Sequence, residues 1–303
     1  MPLTLTNVVL VLLTLLSAVA SVLAGRWLRA VLGGAGAPAP VSGTEPQTPV
    51  RPAAAGTTAL VVVIAAGALG LLAYRWRVLG GGDLLHAHVD GLLLIASLLA
   101  GVIVYLRSRP RLAGVGTFAL PLLTLLLLWA VCASAWTYRP FKLATLHPVW
   151  RGVHLGCVYL GTLSAALAAG AGAAYLVFAR RMKRHADPRG AGRVASLEAV
   201  EAVIVRSATL GFALLSAGLV SGWVILSEGD GSDGGLSLAS PKVLLSAGAW
   251  ATFAVVMNVR FATGFRGKRA AWLAIAGFVL LLGVYGIVTA GSAGPVAPDG
   301  AAL

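Results

Sequence analysis

Long apolar segments separated by short polar ones make up most of the chain. Eight stretches contain enough mostly apolar residues, about 20 each, to cross a hydrocarbon core of about 30 Å as a helix. They lie at about 8–30, 58–76, 89–106, 112–136, 152–179, 199–226, 242–259 and 270–291. The pattern therefore predicts an all-α fold, a polytopic membrane helical bundle with about eight transmembrane helices.

The spacing of these stretches predicts four parts. Residues 1–32 form a first transmembrane helix, and residues 33–57 form a flexible linker rich in Gly, Pro and Ala. Residues 58–291 form a seven-helix membrane core, and residues 292–303 form a flexible tail. No Lys or Arg precedes the first apolar run, which is long, so we expect a retained helix rather than a cleaved signal peptide.

Composition supports a lipid bilayer as the environment. The chain has 303 residues, of which 58% are apolar and 11% charged, and its mean hydropathy is +0.90. A soluble domain carries about 25% charged residues. The sequence contains no Walker motif, HExxH motif or Ser-His-Asp pattern, so we expect a protein that is not an enzyme.

The basic excess indicates orientation rather than a nucleic-acid partner. The net charge is +13, and 16 of the 22 Lys and Arg residues in loops fall on alternate loops. Cytoplasmic loops are enriched in Lys and Arg. We therefore expect a multi-pass protein of the inner (cytoplasmic) membrane with both termini outside.

This orientation places four of the five histidines at or near the outer face. His86 and His88 fall in the loop before the third span, and His147 falls in the loop before the fifth. His154 lies about one turn inside the fifth span, where a polar side chain is costly and usually faces a partner or a cavity. Imidazole is a common ligand of metals and of haem iron. A loop histidine that tolerates the interface, or an interhelical hydrogen bond from His154, would explain the same pattern.

Arg206 is a charged residue inside the sixth span. An unpaired Arg there is expensive, so it is expected to meet Glu201, Glu198 or a ligand carboxylate, or to snorkel to the cytoplasmic interface. Cys132 and Cys157 lie near the outer ends of their spans and are compatible with a disulfide or with two free thiols. Trp150 and Trp223 fit an interfacial aromatic belt, although such rings could also flank a flat macrocycle.

Three stretches resemble the cytochrome c assembly protein family, the integral membrane type that includes CcsA, CcmC and HemX. The first opens with a membrane histidine in HPVWRGVHLG, and the second is SLEAVEAVIVRSATLGF with its later G.W. The third runs from SPKVLL to GFRGKRAAWLAIAGF. The stretches occur in the family's order and spacing, and the resemblance extends over about two-thirds of the chain.

The resemblance implies haem handling, with haem bound at the outer face and presented for attachment to apocytochrome c. His154 matches the family pattern and would be an iron ligand, with His147 as a second; His147, His86 and His88 are candidates placed by topology only. Lys242 or Arg260 would meet its propionates, each at the membrane side that its loop assigns, and Arg206 also matches the family pattern. Other assembly membrane proteins and apocytochrome c are the partners that the family implies.

Two departures favour a HemX-like branch. The tryptophan-rich WWD segment of haem-presenting members should follow the sixth span, where this chain has SEGDGSDGGLSLAS, and Asn258 stands where the family has a histidine. The alternative function is therefore a membrane regulator or scaffold without haem, which could contact a haem-synthesis enzyme through the basic loop 180–193. A transporter of a small anionic solute, suggested by Arg206, is a third hypothesis.

Overall fold

The computed structural model describes residues 2–33, 50–78, 88–109, 112–136, 148–184, 196–228, 241–258 and 267–291. All regular secondary structure in these ranges is α-helical. The helices are α1 (Pro2–Gly33), α2 (Val50–Val78), α3 (His88–Ser108), α4 (Ala113–Trp136), α5 (Pro148–Arg184), α6 (Leu197–Glu228), α7 (Pro241–Asn258) and α8 (Lys268–Gly291).

The helices correspond one for one to the eight predicted apolar stretches. Within the described residues, seven helices are long and apolar enough to cross a membrane, and α7 contributes a shorter apolar helix over Val243–Asn258. The predicted polytopic helical bundle is thus confirmed. Helix α5 is 37 residues long, which at 1.5 Å per residue is about 55 Å. It is therefore longer than a bilayer core is thick.

The predicted linker is partly wrong. Helix α1 continues to Gly33 and α2 begins at Val50, so residues 50–57 are helical rather than flexible. Pro52 is compatible with this start because a proline in the first turn sacrifices no helical hydrogen bond. Residues 34–49 of the linker, and the predicted tail 292–303, lie outside the described residues.

Helix α5 is the centre of the bundle and packs against α3, α4, α6 and α8. Its middle is rich in buried alanines, and glycines allow close approach of its neighbours. A Cβ atom on Gly172 would lie 2.8 Å from the carbonyl oxygen of Ala271 on α8. Small residues at helix crossings are typical of membrane bundles, in which van der Waals packing replaces the hydrophobic effect.

Helices α1 and α2 lie at the edge of the bundle. Leu12, Val22 and Val63 are about half exposed, as expected for side chains that face lipid. A hydroxyl cluster joins α1 to α4: the Oγ of Ser17 lies 2.8 Å from the Oγ1 of Thr124, and the Oγ of Ser21 lies 3.0 Å from it. These bonds fix how α1 is rotated against the core.

Candidate functional site at His154

His154 lies in the second turn of α5 and faces α6. Its Nδ1 is 2.9 Å from the backbone carbonyl oxygen of Gly218 and 3.3 Å from the Oγ of Ser221. The imidazole is half-buried. These hydrogen bonds cross the contact between α5 and α6, which is the most extensive helix–helix contact among the described residues. They therefore offset the free-energy cost of placing a polar ring inside a span.

The partner of Nδ1 fixes which ring nitrogen carries the proton. A carbonyl oxygen only accepts, so Nδ1–H of His154 must donate to Gly218. The Ser221 hydroxyl donates to the same carbonyl over 3.0 Å, which leaves its oxygen free to accept from Nδ1–H. In the neutral ring Nε2 then holds an unshared electron pair, and it makes no hydrogen bond to any residue that the structure describes.

Glycines on α6 make room for the ring. A Cβ atom on Gly222 would lie 3.1 Å from the Cε1 of His154 and 3.4 Å from its Nδ1. At Gly218, one turn earlier, a Cβ would touch Val158 and Cys157 at 3.5 and 3.7 Å. The Nδ1–Cε1 edge of the ring therefore sits against the glycine surface of α6.

Apolar side chains flank this end of the helix pair. Trp150, one turn before His154, is 37% exposed, and Trp223, next to Gly222, is 59% exposed. Val153 and Val220 are exposed as well. The exposed side chains next to His154 along both helices are thus aromatic and aliphatic, whereas its polar contacts are the Gly218 carbonyl and the Ser221 hydroxyl.

Most of the other predicted site residues fall where the structure describes no side chain. His86, His147 and Arg260 lie outside the described residues, and so does the side chain of Lys242, although its backbone belongs to α7. His88 was expected in a loop, but it is the first residue of α3 and is half-buried. The helix simply starts one residue before the apolar run does.

Arg206 does not meet its expected partners. It is exposed and forms no ion pair with a described residue. Glu201 is five residues away, which turns the two side chains to different faces of α6, and Glu198 is two turns away. Arg206 also lies 16 residues before Gly222, about 24 Å along the helix axis. It therefore belongs to a different region from His154, and its exposure agrees with the snorkelling alternative.

Sequence reasoning missed an ion pair and a buried phenol. Arg75 on α2 and Asp90 on α3 form a buried ion pair, and Tyr159 on α5 packs its ring against Gly91. The signal was present, because an acidic residue at the start of an apolar span is unusual. Cys132 and Cys157 are both free, which removes the disulfide alternative.

Metal binding by protein ligands alone receives no support from the described helices. None of their residues come together as a group of three or more His, Cys, Asp or Glu side chains that could hold an ion.

Fold and site together define a multi-pass membrane helical bundle with one histidine presented between two central helices. The chain belongs to the cytochrome C assembly protein family, whose sequence profile matches residues 85–291. This match covers α3 to α8 and leaves out α1 and α2.

Individual relatives agree with the family but match only part of the chain. A cytochrome c biogenesis protein CcsA from Prochlorococcus marinus (strain NATL1A) is 36% identical over 88 residues, which are 29% of this chain and 27% of the relative. The protein of the same name from Synechococcus sp. (strain RCC307) is 31% identical over 91 residues, 30% of this chain and 28% of the relative. The chain thus matches about a quarter of the length of these relatives. No solved structure matches it.

Proposed function

We propose that this protein takes part in cytochrome c biogenesis and handles haem at the outer face of the inner membrane, with His154 as an iron ligand. Haem is cargo in this function rather than a resident cofactor. Family membership supports the process, and the relatives carry the printed name cytochrome c biogenesis protein CcsA. The observation that carries the role of His154 is that its Nδ1 bonds to the Gly218 carbonyl while its Nε2 bonds to no described residue.

The residues around His154 fit a haem edge. Its Nδ1–H donates to a backbone carbonyl, an arrangement that orients metal-binding histidines and raises the basicity of Nε2. Trp150 and Trp223 offer exposed rings within one turn of the site, and such rings pack well against a flat apolar macrocycle. Lys242, whose loop is predicted on the outer side, remains a candidate for the propionates, and His147, His86 and His88 remain candidates for a second axial ligand. Arg260, whose loop is predicted on the cytoplasmic side, would meet a propionate only of a haem bound at that face.

Haem binding is tested on the full-length protein purified in mild detergent from haem-replete cells. We expect a Soret band that is lost in His154→Ala and kept in His185→Ala, which alters a histidine of the predicted cytoplasmic loop. Single substitutions of His147, His86 and His88 would identify the second ligand by a shift of the band. A wild-type spectrum without a Soret band, or one unchanged in His154→Ala, would exclude this role.

A regulator or scaffold without haem is the second candidate function. Asn258 replaces the family's histidine, and its Nδ2 donates to the carbonyl of Ala254 one turn earlier, which uses the side chain within its own helix. This function predicts that a haem-synthesis enzyme or a second assembly membrane protein co-purifies. Neutralising the basic residues of segment 180–193 would release a partner bound on the cytoplasmic side. It would leave apocytochrome c bound, because apocytochrome c would bind on the outer side.

The orientation with both termini outside is part of the same proposal. Reporter fusions at the two termini and within segment 185–195 would test it. We expect the termini to report the outer compartment and the segment to report the cytoplasm. The opposite result would place His154 at the cytoplasmic face.

A further inference from the structure

The surface of α6 against which the His154 ring packs combines polar groups with a glycine. Three residues of α6 face the ring. The Gly218 carbonyl and the Ser221 hydroxyl lie within hydrogen-bond distance of Nδ1, and a Cβ atom on Gly222 would lie 3.1 Å from Cε1. Ser221 is 1% exposed and belongs to the buried interface of α5 and α6. The Ser221 hydroxyl, the Gly218 carbonyl and Gly222 therefore all lie at the Nδ1–Cε1 edge of the ring.

We propose that Ser221 and Gly222 are positioning residues that hold His154 as the Nδ1–H tautomer and keep Nε2 available as an electron-pair donor. The Gly218 carbonyl and the Ser221 oxygen together surround the Nδ1 proton, so the tautomer with the proton on Nε2 would leave two acceptors facing each other. Gly222 leaves room for the ring, because a Cβ atom there would lie 3.1 Å from Cε1 and a larger side chain would press the ring away from the Gly218 carbonyl. The predicted effect on haem binding rests on the proposed function of His154. The assignment of the Nδ1–H tautomer does not depend on that function.

The expected loss of haem affinity follows from how little space separates Gly222 from the His154 ring. At 3.1 Å from Cε1 a methyl group requires a shift of a few tenths of an ångström. The two further methyl groups of a valine are expected to push the ring away from the Gly218 carbonyl. Loss of the group that orients a metal-binding histidine typically weakens metal binding about 10- to 100-fold. Removal of the Ser221 hydroxyl deletes the longer of the two bonds to Nδ1, so we expect a smaller loss of about two- to tenfold.

The first measurement is the nitrogen NMR spectrum of histidine side chains in the full-length protein without haem. The His154 signals are those absent from His154→Gln. We expect a protonated Nδ1 and an unprotonated Nε2 in the wild type, and a mixture of tautomers in Gly222→Val. An Nε2–H tautomer in the wild type would overturn the proposal, even in a protein that never binds haem.

The second measurement is haem affinity by titration of the same variants. Gly222→Ala is titrated as well, and Gly211→Ala is its matched control, because it also adds one methyl group to α6 but meets Ser164 at an ordinary 3.5 Å. We expect Gly222→Val and Ser221→Ala to bind more weakly by the factors above, while Gly211→Ala stays within about twofold of the wild type.

The outcomes separate the two proposals. Wild-type protein that binds no haem excludes the proposed function but leaves the tautomer assignment to NMR. Haem binding that requires His154 yet is unchanged in Gly222→Val and Ser221→Ala excludes the positioning role alone. If Gly222→Val does not fold, as judged by size-exclusion chromatography, Gly222→Ala and Ser221→Ala decide the question.

Discussion

The Nε of Arg75 lies 2.5 Å from the Oδ1 of Asp90, and this ion pair joins α2 to α3. The side chains are 10% and 5% exposed, so both charges are removed from solvent. Within lipid, each charge would be far more costly without the other. The pair therefore fixes how α2, which lies at the edge of the bundle, is rotated and shifted against the core.

Asp90→Asn is expected to destabilise the fold by about 3–5 kcal/mol, because it leaves the guanidinium of Arg75 buried and uncompensated. Equilibrium unfolding in mixed micelles measures this loss. Arg77→Gln is the control, since Arg77 lies in the same last turn of α2 but is exposed. The double variant Arg75→Met/Asp90→Leu should recover much of the stability, and equal losses in the single and double variants would show that the pairing itself contributes little.

Gly91→Ala should destabilise the contact between α3 and α5. A Cβ atom there would overlap the phenol ring of Tyr159, which is 4% exposed and has little room to move. Overpacking of this kind costs about 1–3 kcal/mol. Gly101→Ala on the same helix is the matched control, because nothing lies within 4 Å of its added methyl group. Thermal unfolding of both variants should separate them, and similar midpoints would mean that Tyr159 moves aside freely.

Cys132 and Cys157 should both react with a membrane-permeant maleimide in protein purified without reductant. They are free and half-buried in the structure. Intact mass after labelling would show two adducts, and Cys157→Ser would show one. A mass that gains adducts only after reduction would instead indicate a disulfide.

Arg206→Ala should be nearly neutral for stability, within about 1 kcal/mol, because the side chain is exposed and has no ion-pair partner among the described residues. The same micelle unfolding assay measures it, with Asp90→Asn as the reference for a charge that does have a partner. A loss as large as that of Asp90→Asn would show that Arg206 meets an anionic group after all.

The positions and number of the apolar helices followed from the sequence because hydropathy is a local property. Each stretch must satisfy its own backbone hydrogen bonds in lipid, so its length and composition identify it without knowledge of its neighbours. The start of α5 at Pro148 is also determined locally, because proline is suited to the first helical position. Helix ends were less accurate, as α2 shows by beginning at Val50 inside the predicted linker.

The rotation of each helix about its axis was decided only by the tertiary structure. In a bilayer, lipid and protein neighbours are similarly apolar, so hydrophobicity does not distinguish the face that packs from the face that meets lipid. Sequence reasoning could identify His154 and Arg206 as costly residues, but not that one would reach Gly218, 64 residues away, while the other would face outward. The pairing of Arg75 with Asp90 could not be predicted either. Ion pairs and close glycine contacts depend on which helix faces meet, and only the assembled bundle determines those faces.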